Sequence, residues 1–149
     1  MTRIDFYFNV ANKQQLVESL VEAALQKRRQ VTIFTADEPS ALSMSEYLWQ
    51  NKAESFLPNV QSGNLHAAAT RVVIGSQGSY LTSHLLQDDM LVNLTAAEPS
   101  FFSRFTQLVE LVGDDEDDKV TARTRYKFYR DRGYEIKNIN QKDINQVQT

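Results

Sequence analysis

Cysteine is absent from this chain, which excludes disulfides, thiolate nucleophiles and zinc knuckles at the outset. Glycine is nearly as scarce. Its five residues stand at 63, 75, 78, 113 and 133, and none belongs to a G-x-x-x-x-G-K-S/T phosphate loop. Gly75-Ser76-Gln77-Gly78 is the nearest approach, and it reads as a plain turn after a strand. His66 and His84 are the only histidines and lack the i, i+4 spacing that sets two imidazoles on one helical face, so no metal site is expected. No G-x-S-x-G elbow occurs. Nor is there an apolar run of membrane-spanning length, or a basic stretch followed by an apolar one at the amino terminus. The expectation is a cytoplasmic protein with no membrane segment, no cofactor and no catalytic motif.

What remains is a globular composition. With 149 residues, 42% hydrophobic and 23% charged, the chain suits one domain with a real core. Its net charge of −3 argues against general coating of nucleic acid. Ile4 to Phe8 reads as a strand, and Leu16, Val17, Leu20, Val21, Ala24 and Leu25 follow at helical spacing within Gln14 to Arg28. Val31 to Phe34 completes a βαβ unit with a right-handed crossover. Asp37 or Ser40 caps a second helix carrying Ala41, Leu42, Met44, Leu48 and Trp49, which breaks at Glu54 to Asn59 around Pro58. Gln61 to Ala69 reads as a loop. Thr70 to Ile74, Met90 to Leu94 and Gln107 to Val112 read as strands, and Ser79 to Leu86 stays open between strand and helix. Pro99 to Phe102 starts a helical turn. A helix over 115–132 closes at Gly133, and Tyr134 to Ile136 adds a short edge strand. The pattern predicts a single Rossmann-like three-layer α/β/α domain over 1–137 with a mostly parallel open sheet, and a polar tail over 138–149 that frays. The first strand-to-helix connection, Asn9-Val10-Ala11-Asn12, holds no glycine to wrap a pyrophosphate.

The charged residues are unevenly placed. Asp114 to Asp118 is a run of five acids suited to a helix start. Six bases follow, and at about 100° per residue Lys119, Arg123, Lys127 and Arg130 share one face with Tyr126 among them. Such a face suits a negatively charged ligand with an apolar part, either a phosphate backbone or an acidic peptide. Asp37 and Glu38 follow a strand end but are explained by capping, and Asp88-Asp89 reads as a solvated turn. Trp49 and Phe56 read as core by composition, with an interface as the alternative.

Taken together, Phe6-Tyr7, Leu48-Trp49, Ala53-Glu54-Ser55-Phe56-Leu57-Pro58, Ala122-Arg123, Arg125-Tyr126-Lys127, Tyr129-Arg130 and Gly133 resemble the chi subunit of bacterial DNA polymerase III holoenzyme over nearly the whole chain. The resemblance implies a noncatalytic accessory protein with a Rossmann-like fold. It implies pairing with the psi subunit, and through psi with the clamp loader. It also implies binding of the acidic carboxy-terminal tail of single-stranded DNA-binding protein, which ends in aspartates, a proline and a phenylalanine. DNA is then met only indirectly, at replication forks on the nucleoid, and an XPD-related helicase is a further partner of some chi proteins. The tail site is expected at Lys119, Arg123, Tyr126 and Lys127, with Gly133 as the adjoining turn and Arg123 on the terminal carboxylate. The psi surface is expected at Trp49 and Phe56, with Leu57 and Pro58 as weaker members. The competing expectation is direct binding of single-stranded nucleic acid by the helix 119–132.

Overall fold

A computed structural model describes residues 2–51, 59–61, 72–76 and 89–142. Among the described residues seven strands form one all-parallel sheet in the order β3-β4-β2-β5-β6-β1-β7. They are β1 (Arg3–Val10), β2 (Val31–Thr35), β3 (Asn59–Gln61), β4 (Val72–Ser76), β5 (Met90–Asn93), β6 (Gln107–Gly113) and β7 (Ile136–Asn140). Among the described residues three α-helices accompany them: α1 (Lys13–Gln26), α2 (Glu38–Asn51) and α3 (Glu116–Asp131). A 3₁₀ turn at Phe102–Arg104 is the helical turn expected after Pro99.

Strand alternation sorts the core into two faces. Val31, Ile33, Val72, Ile74, Met90, Val92, Val109 and Leu111 point toward α1 and α2, where Leu16, Val17, Val21, Ala41, Met44 and Leu48 meet them. Ile4, Phe6, Phe34, Leu91, Leu108 and Val112 point the other way, against Ala122 and Tyr129 of α3 and Phe102 and Phe105. Burial on both faces explains why β2, β4 and β5 carry apolar side chains on both sides, as parallel strands do.

β1 departs from strict alternation near its end. Between Tyr7 and Val10 it takes three steps while β6 takes two, from Leu111 to Gly113, and Asn9 holds a left-handed φ of 59°. This is a bulge, at a residue type that tolerates that conformation. It returns Val10 to the α1 face, although counting by twos from Ile4 and Phe6 would put it on the other.

Helix starts follow the capping expectation. The Asn12 side chain accepts from Gln15 N at 3.1 Å, and Asp37 Oδ1 accepts from Ser40 N at 2.9 Å; the Ser40 side chain first, and then this backbone N–H, hold the Asp37 carboxyl below its ordinary pKa. Glu38, in the first turn of α2, accepts from the Ser76 hydroxyl of β4 at 2.9 Å, so it ties the helix to the sheet while Asp37 caps it. α1 ends at Gln26, short of the expected Arg28, because Arg28 turns left-handed at φ 59°.

Three expectations need correction. Asn59–Gln61 forms the short edge strand β3, where a breaking segment and a loop meet in the sequence reading. Asp89 is no solvated turn: it receives Nε and a terminal nitrogen of Arg29 at 3.0 and 2.9 Å and the Gln30 backbone N–H at 3.1 Å. The last strand begins at Ile136 and runs to Asn140, three residues into the stretch expected to fray. Its pairing with β1 is the cause, since Ile4 to Phe8 offer five register partners. Ser79 to Leu86, both histidines, Asp88 and the final residues 143–149 lie outside the described residues.

Candidate functional site

α3 begins where five acids meet the end of β6. Asp115 is the N-cap, its carboxylate accepting from Asp117 N at 3.2 Å. Asp118 turns back instead, accepting from Gly113 N at 2.7 Å and from Lys13 Nζ at 2.8 Å. Burial alone would raise its carboxyl, but Lys13 and the Gly113 amide outweigh burial and hold it below its ordinary pKa. Asp114, Asp115, Asp117 and Asp118 line one hollow together with Lys13.

α3 is seated by a buried polar cluster. Glu110 on β6 is wholly buried and accepts from Arg125 Nε at 3.0 Å, from the Tyr129 hydroxyl at 2.6 Å and from Asn93 Nδ2 at 3.0 Å. Arg125 also donates to the Ala96 carbonyl at 3.0 Å, so its guanidinium joins α3, β6 and the chain after β5. Burial pushes the Glu110 carboxyl up, against the pull of Arg125 and the hydrogen bonds from Tyr129 and Asn93. Tyr129 is pushed far above the ordinary phenol range by burial and then by the Glu110 carboxylate. It therefore remains a donor. Sequence reading places Arg125 among the six bases and in the chi-like Arg125-Tyr126-Lys127 stretch, without a structural role, and gives no role to Glu110 or Asn93. The available signal was a single acid, Glu110, inside an otherwise apolar strand.

Held this way, α3 overhangs a cleft of about 280 Å³ lined by Phe6, Phe8, Asn9, Val112, Gly113, Lys119, Ala122, Arg123, Tyr126 and Asn138. The floor is apolar. The Tyr126 ring meets Phe6 edge-on with centroids 5.3 Å apart, and its hydroxyl accepts from Asn138 Nδ2 at 3.3 Å. Lys119 stands at the rim with Glu116 3.5 Å away. The Arg123 side chain is exposed and, among the described residues, held by no ion pair or hydrogen bond. The structure thus brings Lys119, Arg123 and Tyr126 into one cleft. Lys127 and Gly133 are not among its lining residues: Lys127 is exposed farther along α3, and Gly133 ends the helix at φ 82°. Phe8, Val112 and Asn138 were missed, since they come from strands distant in sequence. The acids of the first hollow do not line this cleft.

Trp49 lies on the last turn of α2, its side chain outside the description, and Phe56, Leu57 and Pro58 lie outside the described residues. Among the described residues no group of three or more His, Asp or Glu is placed to hold a metal, and no helix is long and apolar enough to cross a membrane.

Residues 1–137 match the family profile described as DNA polymerase III chi subunit, HolC. The chain belongs to the DNA polymerase III chi subunit family. A chi subunit from Pseudomonas aeruginosa is 29% identical over 140 residues, covering 91% of this chain and 94% of that protein. A Haemophilus influenzae chi subunit is 31% identical over 139 residues, with 91% and 94% covered. In backbone alone the fold is similar to the C-terminal domain of the DEAD-box protein Dbp5. That likeness has a TM-score of 0.62 at 14% identity and covers 98% of this chain and 94% of the other, so it speaks to the fold and to nothing else.

Proposed function

We propose that this chain is a noncatalytic chi subunit that binds the acidic carboxy-terminal tail of single-stranded DNA-binding protein in the cleft under α3, and joins the clamp loader through psi. The observation that carries the reading is the composition of that cleft: an apolar floor of Phe6, Phe8 and Val112 beneath two cations, Lys119 and Arg123. A chain-terminal phenylalanine needs both at once, a slot for the ring and a fork for the carboxylate. Arg123 pairs bidentately with the terminal carboxylate, Lys119 takes a preceding aspartate, and Lys127 and Arg130 extend the positive face. The terminal ring packs on Phe6 and Tyr126. Psi is assigned to Trp49 and Phe56, with Leu57 and Pro58 beside them. The same α3 cations are available to an XPD-related helicase.

Direct binding of single-stranded nucleic acid remains the competing reading of the basic face. The small size of the cleft, about 280 Å³ with two cations among its lining residues, favours the peptide, because it suits one ring and one carboxylate, whereas single-strand grooves stack successive bases on rings along an extended track. The test is a pair of anisotropy titrations, one with a labelled acidic peptide ending in phenylalanine and one with labelled single-stranded DNA. Saturable binding of the peptide, lost on Arg123→Ala, supports the proposal. Tight binding of DNA with none of the peptide overturns it.

A further inference from the structure

β7 ends the sheet, and among the described residues nothing pairs with its outer side. In a parallel ladder each residue turns both backbone groups to one neighbour, and successive residues alternate. The Ile4 N–H donates to the Glu135 carbonyl at 3.0 Å with Ile4 opposite Ile136. The backbones of Lys137 and Ile139 therefore face β1, and those of Ile136, Asn138 and Asn140 face outward. Asn138 occupies both settings, its side chain walling the cleft beside Tyr126 while its N–H and C=O point away from the sheet. Edge strands are commonly blunted by proline, bulges or charge. β7 has no proline and an unbroken register with β1, and its one charge, the exposed Lys137, discourages a basic strand and favours an acidic one.

We propose that the acidic peptide adds to the outer edge of β7 as an eighth, antiparallel strand, with its terminal ring turned over Asn138 into the cleft. This rests on the peptide reading above and specifies how the ligand is held. The direction follows from the order of the cations. Arg123 takes the terminal carboxylate, and Lys119, which takes an earlier acid, lies one turn nearer the start of α3. That end of α3 adjoins the finish of β6, which runs parallel to β1 and so to β7. The peptide therefore runs against β7. In that orientation the residues whose side chains reach the α3 face are those whose backbones meet β7, namely the last, the third from last and the fifth. The second and fourth from last face solvent. A penultimate proline, which has no N–H, fits the outward position.

The test is an N-methyl scan of a fluorescein-labelled acidic nonapeptide ending in proline and phenylalanine, titrated against the intact chain. Methylation of the third residue from the end should weaken binding about tenfold or more, through a lost hydrogen bond and a clash with β7. Methylation of the fourth should change it by less than about twofold, within what an exposed group contributes. In parallel, amide exchange by NMR should show new protection at Asn138 and Asn140 when the unmodified peptide is added, with Lys137 and Ile139 unchanged. Equal effects at the two positions, or loss at the fourth only, would overturn strand addition and leave the peptide reading standing. Failure of the unmodified peptide to bind would overturn both.

Discussion

Arg123 and Arg125 stand two positions apart on α3 and have opposite surroundings. Arg125 is 2% exposed and paired with a wholly buried Glu110, whereas Arg123 is exposed at the cleft rim. Replacing Arg125 by Met strands a buried carboxylate, and the expected cost is about 3–5 kcal/mol in urea unfolding. Tyr129→Phe removes one donor from the same carboxylate and should cost about 1–3 kcal/mol. Arg123→Ala should leave the unfolding free energy within about 0.5 kcal/mol of the parent while weakening the acidic peptide at least about tenfold, as loss of a hydrogen bond to a charged group does. Asp118 gives a pH signature. Its folded pKa lies below its unfolded one, so its contribution is fully present above the unfolded value and is lost as pH falls through the folded value. Compared with Asp118→Asn, the parent should be more stable at pH 7, and that margin should shrink below about pH 4. A margin constant with pH in denaturant titrations would show that the Lys13 and Gly113 contacts do not stabilise the ionised form.

At the scale of elements, α3 shows which signals a sequence carries well. The acids at its start, Arg130 in its last turn and Gly133 just beyond gave its limits to within a residue, because caps and dipole charges act locally. Gly133 sits at φ 82° with open space where a Cβ would go. Gly133→Ala should therefore cost about 1–2 kcal/mol from backbone strain alone, and peptide affinity measured well below the new melting temperature should be unchanged. The strands were legible wherever an apolar run was buried on both sides, as in β2, β5 and β6. β3 was not, since Asn59-Val60-Gln61 has no apolar run and exists by pairing with Val72, Val73 and Ile74. The bulge at Asn9 was equally invisible, because register against β6 creates it. Of the cleft, the helical wall of Lys119, Arg123 and Tyr126 could be read from periodicity, while Phe8, Val112 and Asn138 depend on strand order and could not.

For the whole molecule, the sheet separates two candidate surfaces. α3 and its cleft lie on one face, and α2, which bears Trp49, lies on the other with α1. Under the proposed function, one ligand on each face need not exclude the other. Trp49→Ala should abolish capture of psi and leave peptide affinity within about twofold, with Arg123→Ala doing the reverse, as the proposal of two independent sites requires. Loss of both activities from either substitution would indicate one shared site or a folding defect. The alternation of strands and helices gave the fold class, and chi membership supplies the biological setting. The order of the seven strands was not readable, because it is fixed by crossovers between segments far apart in the chain. The central claim is that the cleft under α3 receives an acidic, phenylalanine-terminated peptide. Its most direct test is the affinity of that peptide for the parent chain and for Arg123→Ala at moderate salt. Saturable binding that falls at least about tenfold in the variant is the predicted result. Equal affinity for both chains, or for a peptide whose terminal carboxylate is amidated, would contradict it.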